Sequence, residues 1–101
     1  MAQFDVYKNT NLTTAKEYPY LLDIQNDLLN NLNTRVVIPL ALYIKPIKHL
    51  MPQFRIEGQT VTMLTPEMAG VSKSLCTELV TNLGDKRSEI INAIDFMING
   101  F

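Results

Sequence analysis

The sequence predicts a small, mainly β domain that ends in one amphipathic helix. Several short apolar stretches, rich in β-branched and aromatic residues, are separated by Asn, Gly and Pro, which is typical of short strands joined by turns. Only residues 85–100 carry apolar side chains at helical spacing. The length of 101 residues fits one domain over 1–101. These features favour a small barrel-like sheet with a helix packed on it.

The first half of the chain contains three predicted strands. Residues 3–8 alternate between apolar and polar side chains, which is the period of a strand. A polar hairpin loop follows over 9–16, and residues 18–24 are predicted to form the second strand. Residues 35–44 form the most apolar run and predict a buried strand. Pro39 cannot donate to a ladder, so we expect an edge or a bulge there.

An Asn- and Asp-rich segment over 23–33 separates the last two of these strands. Such side chains bond to nearby backbone groups and favour turns. Leu28, Leu29 and Leu32 lie among them. We therefore expect a short helical turn or an irregular loop that exposes leucines.

The second half is predicted to alternate between short strands and turns. Its elements in order are a connector over 45–52, strands over 54–56 and 61–64 joined by a turn at 57–59, one helical turn over 66–70 and a strand over 71–80.

The final helix has the clearest pattern. Asp85 is the predicted N-cap, Glu89 suits the first turn, and Gly100 suits the left-handed residue that ends a helix. The apolar stripe consists of Ile90, Ile91, Ala93, Ile94, Met97 and Ile98.

Composition argues against several classes of protein. The formal net charge is −1, from nine basic and ten acidic residues, whereas a protein that binds nucleic acid directly usually has a strongly basic face. Cys76 is the single cysteine, which excludes an intramolecular disulfide and predicts a small buried hydrophobe. The first residues do not show the basic-then-apolar pattern of a secretion signal, and no apolar run reaches membrane length. We expect a soluble cytoplasmic protein without a membrane partner.

Catalytic and metal-binding patterns are weak. His49 is the only histidine and predicts an exposed loop residue, the acids are scattered, and the four glycines are isolated. We therefore expect no catalytic residue, metal or cofactor. An RNA-cleaving site built from Arg35, Arg55 and an acid stays open as an alternative. The chain ends on Phe101, a large aromatic that either folds back or is offered to a partner.

Five stretches carry a family resemblance: 3–7 (Gln-Phe-Asp-Val-Tyr), 22–27 (Leu-Asp-Ile-Gln-Asn-Asp), 35–41 (Arg-Val-Val-Ile-Pro-Leu-Ala), 63–69 (Met-Leu-Thr-Pro-Glu-Met-Ala) and 90–97 (Ile-Ile-Asn-Ala-Ile-Asp-Phe-Met). In this order, in a chain of this length, they make the sequence resemble the CcdB family of toxins, which poison DNA gyrase in toxin–antitoxin systems. The similarity covers essentially the whole chain.

The resemblance implies a mainly β fold, an SH3-like barrel of the CcdB/MazF toxin type with a C-terminal α-helix, and a two-fold homodimer. It implies a non-enzymatic mechanism in which paired helix ends enter the dimerisation region of the gyrase A subunit and trap gyrase on cleaved DNA. A two-fold ligand engages both halves of a two-fold target with identical surfaces. The implied gyrase-contact residues are Leu28, Leu29, Asp95, Ile98, Asn99, Gly100 and Phe101.

The resemblance also implies a cognate CcdA-like antitoxin, whose disordered C-terminal segment wraps the toxin. It would contact the loop over 8–15 and the connector over 43–48. The implied antitoxin-contact residues are Lys8, Asn9, Thr10, Tyr43, Ile44 and Lys45.

The C-terminal helix is where the chain departs from the best-known family members. They end in Phe-Trp-Gly-Ile, so the Trp is missing here, and Asp95 replaces their Asn. Two alternatives therefore remain, an antitoxin-binding homologue with weakened gyrase binding and a ribonuclease toxin on the same fold. In a dimer, one helix face (Ile90/Ile94/Ile98 or Ala93/Met97) is expected on the barrel and the other near the two-fold axis.

Overall fold

A computed structural model describes residues 1–100 of the chain. Over these residues seven strands form one curled antiparallel sheet, and one α-helix packs on it. The strands are β1 (Asp5–Lys8), β2 (Tyr20–Asp23), β3 (Thr34–Ala41), β4 (Gln53–Ile56), β5 (Gln59–Met63), β6 (Ala69–Ser72) and β7 (Leu79–Asn82), and the helix is α1 (Arg87–Asn99). Four 3-10 turns lie at Asp27–Leu29, Thr65–Glu67, Lys73–Leu75 and Gly84–Lys86.

The sheet is organised around its longest strand, β3. The strand order is β4-β5-β3-β2-β1-β7, and β6 pairs with β3 outside this path. One side of β3 pairs with β2, while the other side is shared between β6 and β5. This arrangement confirms the predicted mainly β architecture with a C-terminal helix, and it is consistent with an SH3-like barrel.

Pro39 lies where the second side of β3 changes partner. β6 pairs with β3 up to Val37, and β5 pairs with it from Leu40. The missing N–H of Pro39 therefore falls between two ladders, which explains how a proline fits inside a buried strand. The sequence predicted an edge or a bulge at this position, and the structure shows a change of neighbouring strand instead.

Two apolar clusters lie on opposite faces of the sheet. The main core receives Val6, Leu22 and Ile38 from adjacent strands and is covered by α1. Their chain neighbours Tyr7, Leu21 and Val37 point the other way and form a smaller cluster with Cys76. Cys76 is thus buried as predicted.

The hairpin between β4 and β5 has the predicted turn. Glu57 and Gly58 have φ values of 51° and 78°, and two consecutive positive φ values in a two-residue loop define a type I′ turn. Ile56 pairs directly with Gln59 on either side of it.

The prediction of one strand over 71–80 is wrong. β6 ends at Ser72, the chain turns through Lys73–Leu75, and β7 begins at Leu79. The Ser72 hydroxyl accepts a hydrogen bond from Ser74 N–H, which stabilises the turn in place of an extended conformation. The chain consequently leaves β3 and returns to pair with β1.

The predicted N-cap of the helix is also wrong. Asp85 lies inside the 3-10 turn Gly84–Lys86, and Lys86 precedes α1 without a side-chain cap. The Asn82 carboxamide accepts from Gly84 N–H at 2.7 Å, so the turn starts earlier than the sequence indicates. At the other end Gly100 has φ 76° and donates its N–H to Phe96 O, as predicted.

The apolar residues of α1 form a single face toward the sheet. Ile90 and Ala93 are both in the main core, and Ile94 packs against it. The expected separation into an Ile90/Ile94/Ile98 face and an Ala93/Met97 face is therefore wrong, because residues from both sets contact the barrel. Ile98, by contrast, is 68% exposed.

Candidate functional site

The C-terminal end of α1 is an exposed surface. Asp95, Ile98, Asn99 and Gly100 are all exposed, and Phe101 lies outside the described residues. Phe96 faces the connector, where its ring centroid lies 5.9 Å from that of His49. The last turn of α1 is therefore held against the connector by Phe96, and it presents the aliphatic side chain of Ile98 to solvent.

A second exposed apolar feature is the 3-10 turn Asp27–Leu29. Leu28 is 90% exposed and Leu29 is 49% exposed, as expected from the sequence. Asn26 caps the turn by accepting from Leu28 N–H at 2.9 Å, and Gln25 Nε2 donates to Leu29 O at 2.9 Å. The leucines are held outward by these polar contacts.

A buried ion pair anchors this turn to the sheet. Arg35 Nε and Nη2 donate to Asp23 Oδ2 at 2.9 and 2.6 Å, and neither side chain is exposed. Arg35 Nη1 reaches Asn30 Oδ1 at 2.6 Å, and Asp23 Oδ1 accepts from Gln25 N–H. Burial raises the pKa of the Asp23 carboxyl, while the hydrogen bonds from Gln25 and Arg35 act in the opposite direction.

Sequence reasoning did not identify Asp23 and Arg35 as this anchor. The available signal was a charged residue at the start of the most apolar run, because a buried charge needs a partner. The arrangement also removes Arg35 from the hypothetical RNA-cleaving site. Its guanidinium is buried against Asp23, whereas Arg55 is exposed on β4 and donates to Thr60.

The predicted gyrase-contact residues form two separate groups within one chain. Gln3 connects the leucine turn to the beginning of α1, because its N–H donates to Asp27 and its Oε1 accepts from Arg87. Ile98 lies eleven residues further along α1, about 16 Å at the helical rise. The structure therefore places the leucine turn near the start of the helix and the second group at its end.

The two loops predicted to bind the antitoxin leave the sheet at the same end. Lys8, Tyr20 and Leu40 are register partners across β1, β2 and β3. The loop after Lys8 and the connector after Ala41 therefore start side by side.

The residues of these loops differ in exposure. Lys8, Thr10 and Lys45 are exposed. Asn9 is half-buried and donates to Tyr18 O and Thr14 Oγ1, so it holds the loop together. Tyr43 is 97% exposed with φ 59°.

Ile44 is 41% exposed next to Tyr43. It borders a cleft of about 340 Å³ together with Leu42, Tyr43, Gln53, Gln59, Thr60 and Thr62. The connector thus presents aromatic and aliphatic side chains beside a concave surface.

A larger cleft of about 550 Å³ lies between α1 and the connector. It is lined by His49, Pro52, Glu89, Asn92 and Asp95. His49 is exposed, as predicted. Within residues 1–100 the structure has no cluster of three His, Cys, Asp or Glu side chains suited to a metal ion.

Within residues 1–100, no helix is long and apolar enough to span a membrane. A family model described as CcdB protein matches residues 3–100, leaving out only the first two residues and the last. The match agrees with the curled antiparallel sheet and the C-terminal helix. The chain therefore belongs to the CcdB family, the toxins of toxin–antitoxin systems.

Proposed function

We propose that this toxin binds the A subunit of DNA gyrase and traps the enzyme on cleaved DNA, without a catalytic site of its own. Family membership supports a toxin, and the observation that carries the gyrase proposal is the 68% exposure of Ile98 at the end of α1. An aliphatic side chain that does not pack on its own domain gains from burial against a partner. Asp95, Asn99 and Gly100, all exposed, surround it.

We propose that the active species is a homodimer in the cytoplasm. Two copies related by a two-fold axis would present two identical helix ends to a two-fold gyrase surface. The leucine turn with Leu28 and Leu29 would contribute the outer part of this contact. Phe101, beyond the described residues, is proposed as a further anchor.

We propose that a cognate antitoxin neutralises the toxin by binding Lys8, Asn9, Thr10, Tyr43, Ile44 and Lys45. The shared end of the sheet from which both loops leave supports one continuous site. The exposed ring of Tyr43 supports an anchor role, because aromatic side chains often dominate binding energy.

The test is a DNA cleavage assay with the purified protein, supercoiled plasmid and gyrase. We expect covalent gyrase–DNA complexes that accumulate only when toxin and gyrase are both present, and intact RNA when the toxin is incubated with RNA alone. RNA cleavage without gyrase would support the ribonuclease alternative instead. A protein that binds the antitoxin but traps no cleaved DNA would be the homologue with weakened gyrase binding.

A further inference from the structure

The outer edge of β4 offers unpaired backbone groups. Among residues 1–100, β4 pairs only with β5 and stands at one end of the strand order. Met63 N–H donates to Pro52 O, and hydrogen-bonded and non-hydrogen-bonded pairs alternate along an antiparallel ladder. In the register Gln53↔Thr62 and Arg55↔Thr60, the N–H and C=O groups of Gln53 and Arg55 therefore point away from β5.

A groove of about 290 Å³ borders this edge. Phe54 and Leu83, both more than nine-tenths buried, contribute its apolar floor. The groove is also lined by Lys86, just before α1, and by Glu89 in the first turn of the helix. A strand added to β4 would lie about 4.8 Å from it, in the space between β4 and the start of the helix.

The charged side chains that line the groove favour a partner that carries negative charge. Arg55 and Lys86 provide two cations, against the single carboxylate of Glu89, on a protein whose formal net charge is −1. The groove also shares Gln53 and Thr60 with the cleft beside Tyr43 and Ile44. A peptide on the edge of β4 would therefore meet two cations and then an exposed apolar patch.

Two other unpaired edges fit less well. The pairing of β7 with β1 contains a register shift between Val6 and Tyr7, a feature that protects edges from strand addition. β6, with the sequence Ala-Gly-Val-Ser, has no charged side chain to select a partner.

We propose that an extended acidic peptide segment of a partner protein adds to the outer edge of β4 as a further strand. This inference rests on the proposed function, because the partner is taken to be the antitoxin. Backbone hydrogen bonds to Gln53 and Arg55 hold the segment, alternate aliphatic side chains cover Phe54 and Leu83, and alternate carboxylates face Arg55 and Lys86.

The experiment uses a short labelled peptide of alternating Val and Glu as the probe, with fluorescence anisotropy as the readout of affinity. Arg55→Pro removes the outward N–H and leaves the β4–β5 ladder intact, because that N–H does not serve it. Gly70→Pro on β6 is the matched proline control. Lys73 N–H donates to Asn33 O, so by the same alternation the Gly70 N–H points away from β3, and a Cβ added at Gly70 meets no atom within 4 Å. We expect Arg55→Pro to weaken peptide binding by about tenfold or more and Gly70→Pro to leave it unchanged.

Three further arms separate pairing, charge and partner. A peptide N-methylated at alternate amides should fail to bind, Lys86→Glu should weaken binding of the Val-Glu peptide, and the full antitoxin should displace the labelled peptide. Equal binding of the N-methylated peptide, wild-type affinity in a folded Arg55→Pro variant, or an antitoxin that leaves the peptide bound would each overturn the inference. If Arg55→Pro does not fold, the N-methylated peptide and Lys86→Glu decide.

The failure of this inference can be told apart from that of the proposed function. Arg55→Pro does not touch the end of α1, so its gyrase-dependent DNA cleavage should equal that of the wild type. If the wild-type protein causes no gyrase-dependent DNA cleavage, the gyrase proposal is contradicted while the peptide-binding results stay valid. Retained cleavage together with unchanged antitoxin binding in Arg55→Pro would overturn only the β4 inference.

Discussion

At the residue scale, the buried pair of Arg35 and Asp23 has the largest consequence for the candidate site. Taking two charges out of water is costly, and the pair offsets that cost only through close contacts. The same guanidinium also holds Asn30, and the same carboxylate holds Gln25. The pair therefore acts on the position of Leu28 more than on net stability.

Removing one partner of this pair should be strongly destabilising. Arg35→Ala leaves the Asp23 carboxylate buried and unpaired, and we expect a loss of about 3–5 kcal/mol in the free energy of unfolding. The measurement is equilibrium denaturation in urea. Arg55→Ala, an exposed control, should change that free energy by less than about 0.5 kcal/mol. An equally small effect of Arg35→Ala would show that the buried Asp23 carboxylate does not depend on Arg35 as its partner.

Tyr20 should make the protein sensitive to alkaline pH. Its hydroxyl donates to Glu57 Oε1 at 2.6 Å, and burial, followed by this hydrogen bond, raises the pKa of Tyr20 to about 12. Because the pKa of Tyr20 in the folded protein lies above the ordinary tyrosine value of 10.0, the stabilisation is complete below that pH and is lost as the pH rises toward 12.

The measurement is the urea midpoint at stepped pH. Tyr20→Phe should flatten the decline between pH 10 and 12, although it also loses the hydrogen bond to Glu57. Tyr43→Phe changes a ring that is 97% exposed and should keep the decline of the wild type. If the urea midpoint of Tyr20→Phe falls with pH as steeply as that of the wild type, groups other than Tyr20 cause the decline.

At the scale of elements, the turns and helix ends that could be predicted are those marked by residues with a strong local preference. The β4–β5 turn and the end of α1 were predictable because Gly58 and Gly100 adopt positive φ values that glycine favours. The exposed leucine turn was predictable because its Asn and Asp residues cap turns. Residues 71–80 were not, because the turn at Lys73–Leu75 interrupts them without a glycine or proline to signal it.

The end of α1 should be separable from the stability of the domain. Deleting Gly100 and Phe101 removes the left-handed glycine that ends α1, and Gly100 is exposed and outside the main core, so we expect a folded protein that has lost toxicity. The measurement is growth inhibition on induction, with circular dichroism of the purified variant as the folding control. A truncated protein that remains fully toxic would refute the assigned site.

At the scale of the whole molecule, the sequence predicted the class of fold better than the arrangement of the site. A mainly β domain with one helix followed from residue periodicity, and the family resemblance supplied the barrel. Periodicity did not reveal that Gln3 connects the leucine turn to the start of α1, while Ile98 lies at its other end. Such distances depend on long-range pairing, which local patterns do not encode.

The separation of these two groups bears on the proposed homodimer. Two-fold symmetry would bring a second copy of each group onto a shared surface and produce a larger contact than one chain offers. We therefore expect a dimer at micromolar concentration. Sedimentation equilibrium measures this, and a monomer under those conditions would contradict the two-fold mode of binding.

The most direct test of the central claim compares two exposed aliphatic residues in the gyrase cleavage assay. Ile98 is 68% exposed at the end of α1, and Leu12 is 91% exposed in the first hairpin loop. Substituting aspartate for either should leave the fold intact, since neither side chain belongs to the core clusters. We predict that Ile98→Asp abolishes gyrase-dependent DNA cleavage and that Leu12→Asp retains it. Full cleavage by Ile98→Asp would contradict the proposal that the end of α1 binds gyrase.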